Sequence, residues 1–206
     1  MADTDKIDLY RLHKDQYMEA KKPVLVNVGP ATYLAIDGRG APGGEAFAAR
    51  VGALYAVAYT VKMTRKFAGQ QDYAICKLEG LWWLDDERGD FALAPKDQWN
   101  WKLMIRTPDF VARRDLDQAV KTLLDKGKEP QCQQVRLESM GEGRCVQMLH
   151  VGPYDQMGRT IAQMCEFAAG QGLRFSGRHH EIYLSDPRRI APERLKTILR
   201  HPVAKA

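Results

Sequence analysis

Apolar and polar positions alternate in some parts of this chain and recur every three or four residues in others, and the two rhythms divide it into elements. "KPVLVNVGPATYLAIDG" (22–38) alternates closely enough to predict strand, and "GRGAPGG" after it predicts a turn. From 44 to 67, Phe47, Val51, Leu54, Ala58 and Val61 recur at helical spacing, with Val51, Tyr55, Tyr59 and Met63 as a second row, so a long helix is expected. "YAICKLEGLWWL" (73–84) predicts a strand, "DDERGD" (85–90) a turn, and "QWNWKLMIRT" (98–107) a second strand with Trp99, Trp101, Leu103 and Ile105 on one face. A helix over about 110–126 stops at Gly127. Strands at "QCQQVRLESM" and "RCVQMLHVG", a helix over about 154–171 ended by Gly172, and a strand at "HHEIYLS" follow. "APERLKTILR" (191–200) predicts a short helix with Pro192 in its first turn, and "HPVAKA" a tail. Residues 1–22 predict a polar arm anchored by Ile7, Leu9 and Leu12.

The order repeats. Each half runs strand, glycine turn, long helix, then a strand with a glutamate and aromatics: "LEGLWWLDD" in the first, "HEIYLSDP" in the second. The expected fold is α+β, two pseudo-symmetric strand-helix-strand-strand modules with antiparallel sheets, helices on one side and a ligand cleft on the other. The expected organisation is an arm (1–22) and a single domain (23–206) of two modules, about 23–107 and 108–203. Pockets favour such interfaces between modules.

Composition narrows the classes. The chain has 206 residues, 45% hydrophobic and 28% charged, which suits one globular domain. The net charge is +5, but the basic residues scatter, and the pairs Arg113–Arg114 and Arg188–Arg189 sit among acids or prolines, so no nucleic-acid partner is expected. The charged N-terminus does not resemble a signal peptide, and no apolar run is long enough to span a membrane, so a cytoplasmic protein without a membrane partner is expected. Cys76, Cys132, Cys145 and Cys165 form no C-x-x-C pair and are expected as thiols, three of these four lying in strand or helix runs.

"GRHHEIYLSDP" (177–187) concentrates the chemistry. His179 and His180 are adjacent and on a strand face opposite ways, so both cannot bind one metal; no metal and no cofactor is expected. Glu181 and Tyr183 share a face. A glutamate inside a strand either faces solvent or lines a half-buried pocket, where it could hold a cation or move a proton. Glu79 has the same standing in the first half, with Lys77 on its face. Trp82, Trp83, Trp99 and Trp101 fall within 20 residues, and indoles beside in-strand acids suit a cage for flat apolar or cationic molecules. Tyr33, Tyr55 and Tyr154 could extend it. "GRGAPG" (38–43) matches G-x-G-x-x-G literally, but no acid follows at the spacing a dinucleotide site needs, and a flexible turn is the better reading.

"LEGLWWLDD", "WNWKLMIRTPDFV", "HVGPYDQMGRTIAQMCEFAAGQGL" and "GRHHEIYLSDPRRIAPERLKTILRHPV" together resemble the GyrI-like small-molecule-binding family, in its stand-alone two-module branch, over about residues 20–203. The resemblance implies a cleft between modules, lined by aromatics, with an acid that matches Glu181 by position. In regulator members that acid receives cationic drugs. Some stand-alone members hydrolyse the cyclopropane of DNA-alkylating cyclopropylpyrroloindoles. No segment here resembles a helix-turn-helix. The implied function is binding of a hydrophobic, aromatic or cationic small molecule, with hydrolysis of electrophilic xenobiotics in which Glu181 and Tyr183 are catalytic and Glu79, Trp83, Trp99, Trp101, Tyr33, Tyr55 and Tyr154 bind ligand. The alternatives are sequestration without turnover, or binding of a gyrase-type protein partner. The oligomeric state stays open.

Overall fold

The computed structural model describes residues 6–85, 94–128 and 130–206. The predicted turn at 85–90 lies, after Asp85, outside the described residues. The fold is α+β. Strands β1 (Val24–Val28), β2 (Ala31–Arg39), β3 (Leu78–Trp83), β4 (Asn100–Thr107), β5 (Arg136–Met140), β6 (Gly143–Val151), β8 (His179–Tyr183) and β9 (Lys196–Lys205) form one sheet in the order β1-β6-β9-β8-β3-β4-β2-β5, with β7 (Leu173–Phe175) added on β9. Every ladder between these strands is antiparallel. Helices α1 (Leu9–Leu12), α2 (Glu45–Phe67), α3 (Arg113–Asp125) and α4 (Met157–Gly170) complete the described elements apart from short 3-10 turns.

The single strand expected at 22–38 is two, broken at Gly29–Pro30, where the chain leaves β1 on one edge of the sheet and starts β2 near the other. A larger difference concerns "APERLKTILR". It begins with one 3-10 turn (Pro192–Arg194) and then becomes β9, which runs on through the expected tail. The reason is burial: β9 is an interior strand with α4 over one face and the N-terminal segment over the other, so Thr197, Ile198, Leu199 and Arg200 are all buried and show no alternation to read.

The repeat is closer in space than in letters. β1 and β5 start 112 positions apart (24 and 136), as do β2 and β6 (31 and 143) and α2 and α4 (45 and 157). β3 and β8 then start 101 apart (78 and 179), and β4 and β9 96 apart (100 and 196). The edge strands are exchanged: β1 pairs with β6, and its counterpart β5 pairs with β2. A pseudo-twofold axis therefore passes between β3 and β8, where Gly80 is paired with Glu181.

The two faces of the sheet are covered differently. Leu54, Val57, Ala58 and Val61 of α2 pack with Leu34, Ile36, Leu103 and Ile105, and each such side chain contributes about 1.5–3 kcal/mol on full burial. Met164 and Ala168 of α4 pack with Val146, Met148 and Leu199 on the same face. The other face is covered at its centre by the N-terminal segment, which is more than a polar arm: Tyr17 is buried and donates to Glu79, and backbone carbonyls of Gln16 and Met18 accept from Arg200 and Gln147.

Candidate functional site

α2 lies over β2 and β4, and α4 over β6, β7 and β9, which leaves the middle strands β3 and β8 as the floor of a cleft between them. Strand alternation puts Gly80, Trp82, His179, Glu181 and Tyr183 on that floor, with Gly80 opposite Glu181, Trp82 opposite His179 and Leu78 opposite Tyr183. Glu181 and Tyr183 thus open onto the helix-bearing face, the other face being taken by the N-terminal segment.

The walls are aromatic. Phe47 from α2 stacks on Trp82 at 6.0 Å, Trp99 meets Trp82 edge-on at 5.9 Å, and Tyr154, just ahead of α4, meets Tyr183 edge-on at 6.1 Å. Tyr55, about two turns further along α2, is close enough to Asp186 and Arg188 beyond β8 to feel their charges. Polar groups on the floor are linked. Trp82 Nε1 donates to Tyr183 Oη at 3.2 Å, and Glu181 Oε1 lies 3.3 Å from His179 Nε2. Burial, with Glu181 as charged and hydrogen-bonding neighbour, pushes the Tyr183 phenol well above its ordinary range, so it stays a donor. Gly80 leaves the room for this arrangement: a Cβ there would stand 3.0 Å from Trp82 Nε1 and 3.1 Å from Tyr183 Oη. The Glu181 side chain keeps 13% exposure, and among the described residues no Lys or Arg pairs with it.

The model of the GyrI-like small molecule binding domain matches residues 21–204. The chain belongs to the GyrI-like family. Its function at that level is small-molecule binding. A crystal structure of an uncharacterized conserved protein from Listeria innocua is 40% identical, covering 97% of this chain and 100% of that one with a TM-score of 0.90. A crystal structure described as a hydrolase from Listeria innocua is 39% identical over 97% and 100%, with a TM-score of 0.86. The C-terminal domain of EcmrR shares the fold at 11% identity, a TM-score of 0.58, and 90% and 98% coverage. No curated protein is a significant match.

Within this GyrI-like domain the expected site residues separate into three groups. Glu181, Tyr183, Trp99 and Tyr154 border the cleft, and Tyr55 flanks it. Trp101 is on the cleft's face but fully buried beneath Phe47: its indole donates to Gly40 O at 3.1 Å and lies where a Gly38 Cβ would be, 2.1 Å away, so it supports the wall and does not line it. Glu79, Trp83 and Tyr33 are on the opposite face. The reason is register. The pseudo-twofold makes Glu79 the counterpart of His180, not of Glu181, since β3 and β8 start 101 positions apart, and one residue of slip turns every side chain to the other side of a sheet. Trp83 is instead capped by the Arg178 guanidinium, 3.6 Å from its ring centre, and Tyr33 is buried.

On that opposite face lies a buried ionic network. His180 Nδ1 is 2.9 Å from Glu142 Oε2, and its Nε2 is 3.1 Å from Glu79 Oε2. Arg200 donates to Glu142 and to Gln147, both at 2.8 Å, and Tyr17 Oη donates to Glu79 at 2.7 Å. With both ring nitrogens against carboxylates, His180 is a structural cation. Among the described residues no three His, Cys, Asp or Glu side chains converge as metal ligands.

Gly80 and Phe47 are the floor and wall residues that sequence reasoning did not select, and Trp82 was counted among the cage indoles but not in the ligand-binding set. Trp82 takes the cleft side because it is paired with Trp101 across β4, a register the strand's own letters do not show; Phe47, on a helix far upstream, gives no such signal.

Proposed function

We propose that the cleft over β3 and β8 binds flat apolar or cationic organic molecules with Glu181 as their counter-charge, and that it hydrolyses electrophilic cyclopropanoids held there. Glu181 carries the reading: a mostly buried carboxylate on the floor, opposite a glycine, on the same face as Trp82 and Tyr183, whose rings meet Phe47, Trp99 and Tyr154. Desolvated cation–π contacts with such rings contribute about 2 kcal/mol each. The 39% identity to a Listeria innocua protein described as a hydrolase supports turnover. The fold supports one domain over 23–206 in which modules 23–107 and 108–203 each supply half of the floor.

In the proposed reaction a water attacks the strained ring carbon of the bound electrophile while Glu181 accepts its proton. The ring carbon–carbon bond breaks, and its electron pair passes into the conjugated system, whose oxygen takes up a proton to end as a phenol. Tyr183, kept protonated, orients the carboxylate. The rings stabilise the positive charge that develops on the attacked carbon. Incubation with a cyclopropylpyrroloindole, followed by mass spectrometry, should show the adduct of one water, and Glu181→Gln should abolish it. Stoichiometric binding without product would leave sequestration alone, and unchanged hydrolysis by Glu181→Gln would remove Glu181 from the chemistry.

A further inference from the structure

A pair of histidines stands behind the acid of the cleft. His179 Nε2 lies 3.3 Å from Glu181 Oε1, and His179 Nδ1 lies 2.9 Å from His201 Nε2. Two ring nitrogens at that distance share one proton, and its position is decided by the outer end of the chain. His201 Nδ1 is buried and has no hydrogen-bond partner among the described residues. If His179 donated, neutral His201 would carry its own proton on that orphaned nitrogen, and a buried unmet donor costs about 1–3 kcal/mol. The opposite arrangement leaves only a lone pair there. His201 therefore donates from Nε2, His179 accepts at Nδ1, and the proton of His179 is on Nε2, aimed at Glu181. The His201 ring is fixed for this role, stacked on Phe175 at 4.2 Å with an interplanar angle of 3°. Burial, reinforced by His179, lowers His201 to about 3, so it holds a single proton at neutral pH.

We infer that His201 and His179 form a positioning pair for Glu181, in which His201 keeps His179 a neutral hydrogen-bond donor so that the carboxylate is oriented while its charge stays available to a cationic ligand. The inference rests on the reading of Glu181 as the counter-charge of the cleft. A second proton on His179 would need Nδ1, which His201 occupies, and would place an imidazolium against Glu181 that cancels its charge. The groups facing this pair are Glu181 and Tyr183 on β8, Trp82 on β3 and Phe175 on β7, with Glu142 and His180 acting on His201 from further away.

The test is fluorescence titration with ethidium, a planar cation, and pyrene, a planar neutral molecule. His201→Phe keeps the stack on Phe175 but cannot donate, which frees His179 Nδ1 for a second proton. Ethidium affinity should then fall about tenfold or more as the solution is acidified, while pyrene affinity is unchanged; a charged hydrogen bond contributes about 1.5–3 kcal/mol. His201→Gln, which restores a donor, should recover wild-type ethidium binding. The double variant His179→Gln/His201→Phe, whose glutamine can donate but never becomes a cation, should lose that acid-side decline, and His201→Leu, which also cannot donate, decides the matter if His201→Phe does not fold. Wild-type ethidium binding by His201→Phe, or equal losses for ethidium and pyrene, would overturn the inference and leave the cleft reading intact. Unchanged ethidium binding by Glu181→Gln would overturn the cleft reading itself.

Discussion

Replacing Arg200 by Met should be among the most damaging single changes in the domain. Arg200 is 1% exposed, and its guanidinium supplies donors to Glu142, Gln147 and the Gln16 carbonyl. Met fills much of the volume but leaves the buried Glu142 with His180 as its cation, and strips two neutral acceptors of their donor. Breaking a buried ion network by removing one partner costs about 3–5 kcal/mol. In a chain of this size 1 kcal/mol moves Tm by about 2–4 °C, so the midpoint should fall by about 6–20 °C. Hydrogen exchange should localise the defect, with amides near Gln16 to Ala20 losing protection first, because Arg200 and Gln147 tie that segment down.

The pH dependence supplies an independent check on Arg200. Burial would raise the Glu142 carboxyl, but His180 and Arg200 overcome it and hold it at about 2. Its contribution is present above the ordinary carboxylate value of about 4.3 and is lost as pH falls through about 2. Burial would lower His180, but Glu142 and Glu79 raise it to about 9, so its contribution is present below about 6.5 and is lost as pH rises through about 9. Wild-type stability from this network should therefore peak between those windows, and in Arg200→Met the acid limb should move to higher pH. A Tm shift below about 2 °C with an unmoved acid limb would refute the assignment of the network as the anchor of the N-terminal segment.

Three further outcomes follow from the geometry. Gly80→Ala should cost about 1–3 kcal/mol in thermal melts and weaken ligand binding in fluorescence titration, because the new methyl pushes Trp82 Nε1 and Tyr183 Oη apart. Gly38→Ala should cost about 3 kcal/mol or more in urea unfolding, since a Cβ at 2.1 Å from Trp101 evicts the indole from the core. Thiol titration with Ellman's reagent should count one fast thiol in the native chain and four in denaturant, because Cys165 is exposed while Cys76, Cys132 and Cys145 are buried, with Cys76 and Cys145 pushed by burial to about 12.

The helices α2, α3 and α4 and the half-exposed strands were legible because each shows one apolar face. β9 was not, since a strand covered on both faces shows none, and "RLKTILR" read alone has the composition of a helix. Glu181 and Tyr183 were legible as a pair from their i, i+2 spacing. Glu79 was misplaced for an equally simple reason: matching the two halves by their glutamates aligns letters, whereas the strand starts of β3 and β8 align Glu79 with His180. The strand "LEGLWWL" has no alternation at its centre, since Glu79, Gly80, Leu81 and Trp82 are all buried, so only its pairing with β8 reveals which side each residue takes. His201 could not be linked to His179 from sequence, because their contact depends on β9 being a strand.

Had this sheet been assembled from two identical chains, the positions of Gly80 and Glu181 would have to hold the same residue. Two carboxylates directly opposite on neighbouring strands repel, and two glycines would leave the cleft without charge. Joining both halves covalently lifts that constraint. One side keeps the acid and the other keeps the empty space beside it, so the floor between the two halves is inherently lopsided.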